Sequence, residues 1–135
     1  MLLDSLGVRF RIAATKIKEI NAPQISLAKN VQLNALRKAQ AAALRYRFGI
    51  ILACDTLVSL DDKILGKPKN YRQARKMLFG LNGQSCFVYT GIVLIDLDKK
   101  KTISGYEKTR VKMRRLKPKY IARYLKSEYP LDKAG

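Results

Sequence analysis

The sequence predicts a single α/β domain in which a mixed central sheet is flanked by helices. Three observations lead there. Segments with helical apolar periodicity alternate along the chain with apolar or alternating runs typical of strands. Turn and cap residues punctuate each change of pattern. The length, 135 residues with 47% hydrophobic, suffices for one core and is too short for two ordinary domains. No internal repeat, low-complexity tract or Pro/Gly/Ser-rich linker divides the chain.

Taken in order, Leu2, Leu3 and Leu6 share one helical face, and Gly7 suits the C-terminal stop of that helix. Val8 to Ala14 alternates in part, with Val8, Phe10 and Ile12 on one side, and predicts a strand. Pro23 and Ser26 mark a turn and a helix start. Leu27, Val31, Ala35, Ala39 and Ala42 then recur at helical spacing, predicting a long amphipathic helix to about Arg47. After Gly49, the uninterrupted apolar run Ile50 to Cys54 predicts a strand buried on both faces. Leu57 to Leu60, the turn Asp61-Asp62 and Ile64-Leu65 form a hairpin pattern. Asn70 is placed to cap a helix from Tyr71 to about Leu81, ended near Gly83. Two long β segments follow, Phe87 to Leu97 and Thr102 to Met113, joined by a charged turn at Asp98-Lys99-Lys100. Pro118 suits the first turn of a last helix reaching about Ser127.

Composition narrows the chemistry. There is no His, so an imidazole base and His-containing zinc sites are excluded, and a general base must be a carboxylate, a lysine or a thiolate. Cys54 and Cys86 each lie in an apolar stretch and are read as reduced, small core residues. No apolar run is long enough to span a membrane and no secretory signal opens the chain, which makes the cytoplasm the default compartment. Twenty-eight Lys and Arg against ten Asp and Glu give a formal charge of +18. Such an excess attracts polyanions, including non-specific binding of nucleic acid. A lysine-rich solvated surface explains it equally well, because the basic residues are scattered except at Lys99 to Lys101 and Arg110 to Lys119.

The candidate chemistry begins at Ala53-Cys54-Asp55-Thr56, where a carboxylate stands at the end of a buried strand, the position at which α/β sheets present ligand sites. Further on, Gly66-Lys67-Pro68 sets a lysine between a flexible and a rigid residue. An acid and a lysine on neighbouring loops suit a metal-bound polyphosphate: the acid holds Mg²⁺ or activates water, and the ammonium neutralises phosphate oxygens. The plain alternative is that Asp55 caps a turn and Lys67 is solvated. Gly91 in Tyr89-Thr90-Gly91 marks either a close approach of backbone or ligand, or a simple bend. Asp132-Lys133-Ala134-Gly135 offers a second acid–lysine pair beside a glycine.

Together and in this order, these stretches resemble the Maf family of nucleoside-triphosphate pyrophosphatases. The resemblance is carried by Ala53 to Val58, Leu65-Gly66-Lys67-Pro68, Ala74 to Leu81 with Asn82-Gly83, Val88-Tyr89-Thr90-Gly91, Thr109-Arg110-Val111 and Asp132 to Gly135. Leu27-Ala28 with Lys38-Ala39 resembles the family's long-helix signature, and Glu19 stands where the family carries an acid. It implies a Maf/inosine-triphosphatase-like α/β fold with a cleft, a divalent cation (Mg²⁺ or Mn²⁺), and hydrolysis of a nucleoside triphosphate to monophosphate and pyrophosphate. Asp55 would accept the proton of the attacking water, and Glu19 and Asp55 would hold the metal. Lys38 and Lys67 would contact the phosphates, with Asp132 and Lys133 in the same cleft. Thr56 would help select the base, the Asp55-Thr56 pair being similar to the subgroup acting on dTTP and UTP.

Family members also open with a strand and a Ser-x-Ser-x-Arg-Arg loop, and continue past Asp-Lys-Ala-Gly into a Tyr-Gly-x-Gln-Gly segment. The expectation is therefore a single incomplete domain over 1–135, without the first strand and the C-terminal elements, and with catalysis impaired by the loss of phosphate-binding arginines. Two other readings stay open: a small basic nucleic-acid-binding protein, and an inactive fragment of a Maf protein. A homodimer is also left open.

Overall fold

The computed structural model describes residues 2–22, 24–127 and 131. A short helix α1 (Leu2–Ser5) ends at Gly7, whose φ of 68° lets its N–H return to the carbonyl of Asp4. The long helix α2 (Leu27–Ala43) follows, started by Ser26, whose side chain accepts from Lys29 N–H. Strands β1 (Ile50–Leu60) and β2 (Lys63–Leu65) form a hairpin about Asp61 and Asp62, both at positive φ. Helix α3 (Tyr71–Leu81) is capped by Asn70, which accepts from Gln73 N–H. The long strands β3 (Ser85–Asp96) and β4 (Lys101–Lys112) lead to α4 (Pro118–Ser127).

The fold is the expected α/β one, and its sheet runs β2-β1-β3-β4. All three of these strand pairings are antiparallel, so the mixture is one of helices and strands rather than of strand directions. Helix α2 packs along β1 and β3. Val31 packs with Leu57 and Tyr89, and further along Ala35 and Ala39 pack with Val93. The alanines matter because they let a helix backbone lie close to a sheet. Gly91 takes this furthest: a Cβ added there would meet the carbonyl carbon and oxygen of Val31 at 2.4 Å. The glycine marks a close backbone approach rather than a bend.

Four expectations are corrected. Residues 8–14 form no strand: the segment is irregular, pairs with no strand among the described residues, and leaves Val8 and Ile12 exposed. The run Ile50 to Cys54 is not buried on both faces: Ile50 is 65% and Leu52 41% exposed. In an antiparallel sheet one face can be left open, and here α2 covers only the face carrying Ile51 and Ala53. Cys54 consequently stands exposed on the open face, while Cys86 is buried as expected. Helix α2 also stops at Ala43, short of Arg47. Pro23 lies outside the described residues, as do Asp132 and Lys133.

Candidate active site

The site is built where α2 crosses β1. Strand alternation turns Asp55 toward α2 and leaves it buried, 6% exposed. Its β3 neighbour in register is Gly91, so the position that admits the helix backbone lies directly beside the acid. Lys38, on the facing side of α2, donates from Nζ to Asp55 Oδ1 at 2.5 Å and to Glu19 Oε1 at 2.8 Å. Asp55, Lys38 and Glu19 were separate expectations from strand, helix and loop, and the fold brings them together.

Glu19 belongs to an irregular segment that the side chains of α2 and the turn after it stitch in place. Asn30 exchanges two hydrogen bonds with the backbone of Ala22, and Asn34 does the same with Ile20, each at 2.9 Å. Arg37 donates to the carbonyl of Lys18 and Arg45 to that of Ala14, both at 2.8 Å. These contacts supply the backbone partners that a neighbouring strand would otherwise offer. Asn34 makes one more bond, from Nδ2 to Asp55 Oδ2 at 3.3 Å. The two asparagines escaped the sequence reading. Their signal was there: polar residues one turn apart on a helix stripe otherwise made of Val31, Ala35 and Ala39.

The electrostatics follow from this packing. Burial alone would lower the Lys38 pKa, but the hydrogen bonds to Asp55 and Glu19 outweigh it and hold the ammonium above its ordinary value. The hydrogen bond from Lys38 keeps Glu19 below the usual carboxylate value against some desolvation, and the charge of Lys67 acts in the same direction. Lys67, exposed in the β2–α3 loop, is thus within electrostatic reach of the cluster without touching it. Thr56 points to the opposite face of the sheet, where its hydroxyl pairs with that of Thr90 at 3.0 Å. The fold does not bring it to the Glu19–Lys38–Asp55 cluster.

The donor set fits a hard divalent cation. Two carboxylates from different segments converge on one positive group, and the Lys38 ammonium stands in for a cation there. No group of three or more His, Cys, Asp or Glu side chains is assembled among the described residues. A cation held by Glu19 and Asp55 would therefore complete its shell with phosphate oxygens and water.

A groove of about 750 Å³ lies apart from this cluster, between α3 and α4. Arg72, Arg75, Lys119 and Lys126 line it with Tyr71 and Phe79, and none of its described lining residues is acidic. Tyr71 and Phe79 are exposed, and the Arg75 guanidinium lies 5.4 Å from the Phe79 ring centre.

With this geometry in hand, the chain can be set beside known proteins. It is 36% identical over 135 residues to a dTTP/UTP pyrophosphatase of Methanococcoides burtonii, covering 100% of this chain and 69% of the relative. It is 36% identical to a dTTP/UTP pyrophosphatase of Dictyoglomus turgidum, over 99% of this chain and 70% of the relative. A protein of the same name from Bacillus cytotoxicus is 39% identical over 134 residues, which cover 99% of this chain and 69% of the relative. The family described as Maf-like protein matches across residues 1–135, and the chain belongs to that family.

Proposed function

We propose that this chain is a metal-dependent nucleoside-triphosphate pyrophosphatase that hydrolyses dTTP- and UTP-like nucleotides to the monophosphate and pyrophosphate. The observation that carries the reading is the convergence of Glu19 and Asp55 on a single cationic group at Lys38, beside the Gly91 approach. Its relatives named dTTP/UTP pyrophosphatase supply the substrate class.

Asp55 accepts the proton of the attacking water. The water oxygen bonds to the α-phosphorus, the bond from that phosphorus to the bridging oxygen breaks, and pyrophosphate leaves with the electron pair. A divalent cation, which Glu19 and Asp55 would hold, would supply charge neutralisation for the phosphate oxygens. A carboxylate oxygen has two lone pairs, so neither Asn34 at Oδ2 nor Lys38 at Oδ1 blocks Asp55 outright; Lys38, flexible and partly exposed, is the partner placed to yield. An arriving polyphosphate gives its ammonium a better-placed anion, and Lys38 exchanges Asp55 for phosphate. Lys67 adds a second ammonium from the β2–α3 loop; Asp132 and Lys133, which lie outside the described residues, are assigned to substrate binding by the resemblance alone. Thr56, from the other face, is assigned to base selection.

The test is pyrophosphate release from dTTP, UTP, GTP and ATP with Mg²⁺ or Mn²⁺, with Asp55→Asn as control. Release that prefers dTTP and UTP and falls by about 10²-fold or more in Asp55→Asn is expected. Release unaffected by that substitution would sink the assignment.

A second reading, binding of single-stranded nucleic acid, gains one specific observation. The α3–α4 groove interleaves basic and exposed aromatic side chains, the combination that holds phosphates and stacks bases.

A further inference from the structure

Asn34 does more than pack. Its residue is 3% exposed, and both ends of its amide are committed. Oδ1 accepts from Ile20 N–H at 2.9 Å, while Nδ2 donates to the Ile20 carbonyl at 2.9 Å and to Asp55 Oδ2 at 3.3 Å. These partners fix the orientation of the amide. Turning it over would set its oxygen against the Ile20 carbonyl and the Asp55 carboxylate, and its nitrogen against an N–H.

One side chain thereby grips both acids of the site. It holds Asp55 directly, and it holds Glu19 through the backbone of the next residue. It also makes the two oxygens of Asp55 unequal. Oδ2 is tied to a neutral amide on a rigid helix that has nowhere to go, whereas Oδ1 is tied to Lys38, a flexible side chain that is 25% exposed and able to leave.

We propose that Asn34 is a positioning residue: it anchors Asp55 by Oδ2 and Glu19 by the Ile20 backbone, and so assigns Oδ1 as the working oxygen. The proposal rests on the pyrophosphatase reading for the identity of the reaction, but the anchoring itself is independent of it. Asn30 is the internal comparison. It makes the same pair of bonds to Ala22 one helical turn away and touches neither acid.

The experiment uses the full chain and two readouts, steady-state kinetics with dTTP and the side-chain amide resonances of Asn30 and Asn34 in ¹H–¹⁵N spectra. Asn34→Leu, close in shape, is expected to lower kcat about tenfold to a hundredfold. Its KM should stay within about threefold, as for an interaction that matters in the transition state. Asn30→Leu should leave kcat within about threefold, although it removes a comparable clamp. In the spectra, the Asn34 amide should move in Asp55→Asn and on adding Mg²⁺ with a non-hydrolysable dTTP analogue, while the Asn30 amide stays put.

Equal loss of kcat in both leucine variants would make the role purely structural and overturn the proposal. So would an Asn34 resonance that ignores Asp55→Asn, a readout available even if Asn34→Leu does not fold. If Asp55→Asn abolishes release while the Asn34 amide is indifferent, the pyrophosphatase reading stands and Asn34 is removed from it. If Asp55→Asn keeps full activity while the Asn34 amide responds, the anchoring is upheld and the reaction assignment is what fails.

Discussion

Replacing Gly91 with alanine tests how the site depends on one missing methyl group. The added Cβ would lie 2.4 Å from the carbonyl carbon and oxygen of Val31 and 2.6 Å from the nitrogen of Gln32. These are backbone atoms in the middle of a 17-residue helix, so no side-chain rotation can relieve the clash. Ordinary contact begins near 3.4 Å, and α2 must therefore retreat from β3 by about 1 Å. The retreat loosens the Val31–Leu57–Tyr89 packing. Overpacking of this kind costs about 1–3 kcal/mol, and backbone on both sides places this case toward the upper end. For a domain of this size that corresponds to a fall in Tm of very roughly 5–15 °C.

The functional cost should exceed the stability cost. The same 1 Å or so carries Asn34 and Lys38 away from Asp55, whose register partner is Gly91 itself. A 3.3 Å hydrogen bond has no slack to absorb such a shift. Misplacement by about 1 Å can cost on the order of a hundredfold in rate. Thermal melting followed by circular dichroism, and pyrophosphate release measured well below the variant's Tm, read the two effects separately. A Gly91→Ala protein that melts within a degree or two of the parent and keeps its rate would refute the close-approach argument.

The pH dependence has a definite sign. Glu19 is held below its ordinary 4.5 chiefly by the hydrogen bond from Lys38, so its contribution to stability is complete above that value and is lost as pH falls through the lowered one. Urea titrations should therefore show a gap between parent and Glu19→Gln that is constant near neutrality and closes in acid; with the carboxylate over half exposed, the gap should be at most about 1 kcal/mol. Lys38 is raised, so its contribution is complete below 10.5 and fades only as pH climbs through the higher folded value; a gap between parent and Lys38→Met that shrinks already between pH 7 and 9 would contradict this. For the α3–α4 groove, Arg75→Glu with Lys119→Glu should weaken binding of a fluorescent oligo-dT or oligo-U about tenfold or more. The same charge change at Lys99 in the β3–β4 turn and Lys101 at the start of β4 should do much less; equal losses would reduce the attraction to net charge alone.

Which features could be read in advance depended on the range of the interactions that make them. Caps and turns are local: Ser26, Asn70, Gly7 and the Asp61-Asp62 turn act within a few residues and appear where their chemistry places them. Periodicity placed α2, α3, α4 and the long strands, because an apolar stripe needs only something to pack on. It failed at Val8 to Ala14, where alternation promised a strand but no described strand edge pairs with it, and pattern without a partner does not make a ladder. It failed again at Ile50 to Cys54, since an apolar run states that a strand is hydrophobic, not how many faces are covered. The site divides along the same line. Asp55 could be named by type and position, and Lys38 and Glu19 through the family resemblance, but their convergence on one point depends on the depth at which α2 sits on the sheet. That depth is set by Gly91, Ala35 and Ala39, residues whose contribution is the space they leave. Asn34 occupies the helix stripe between them, where an apolar residue would pack equally well. A polar side chain is tolerated there only because the approach of the helix brings an exposed backbone and a carboxylate to opposite sides of it. The small residues and the asparagine are thus one device: the first set the distance, and the second uses that distance to hold the acid still.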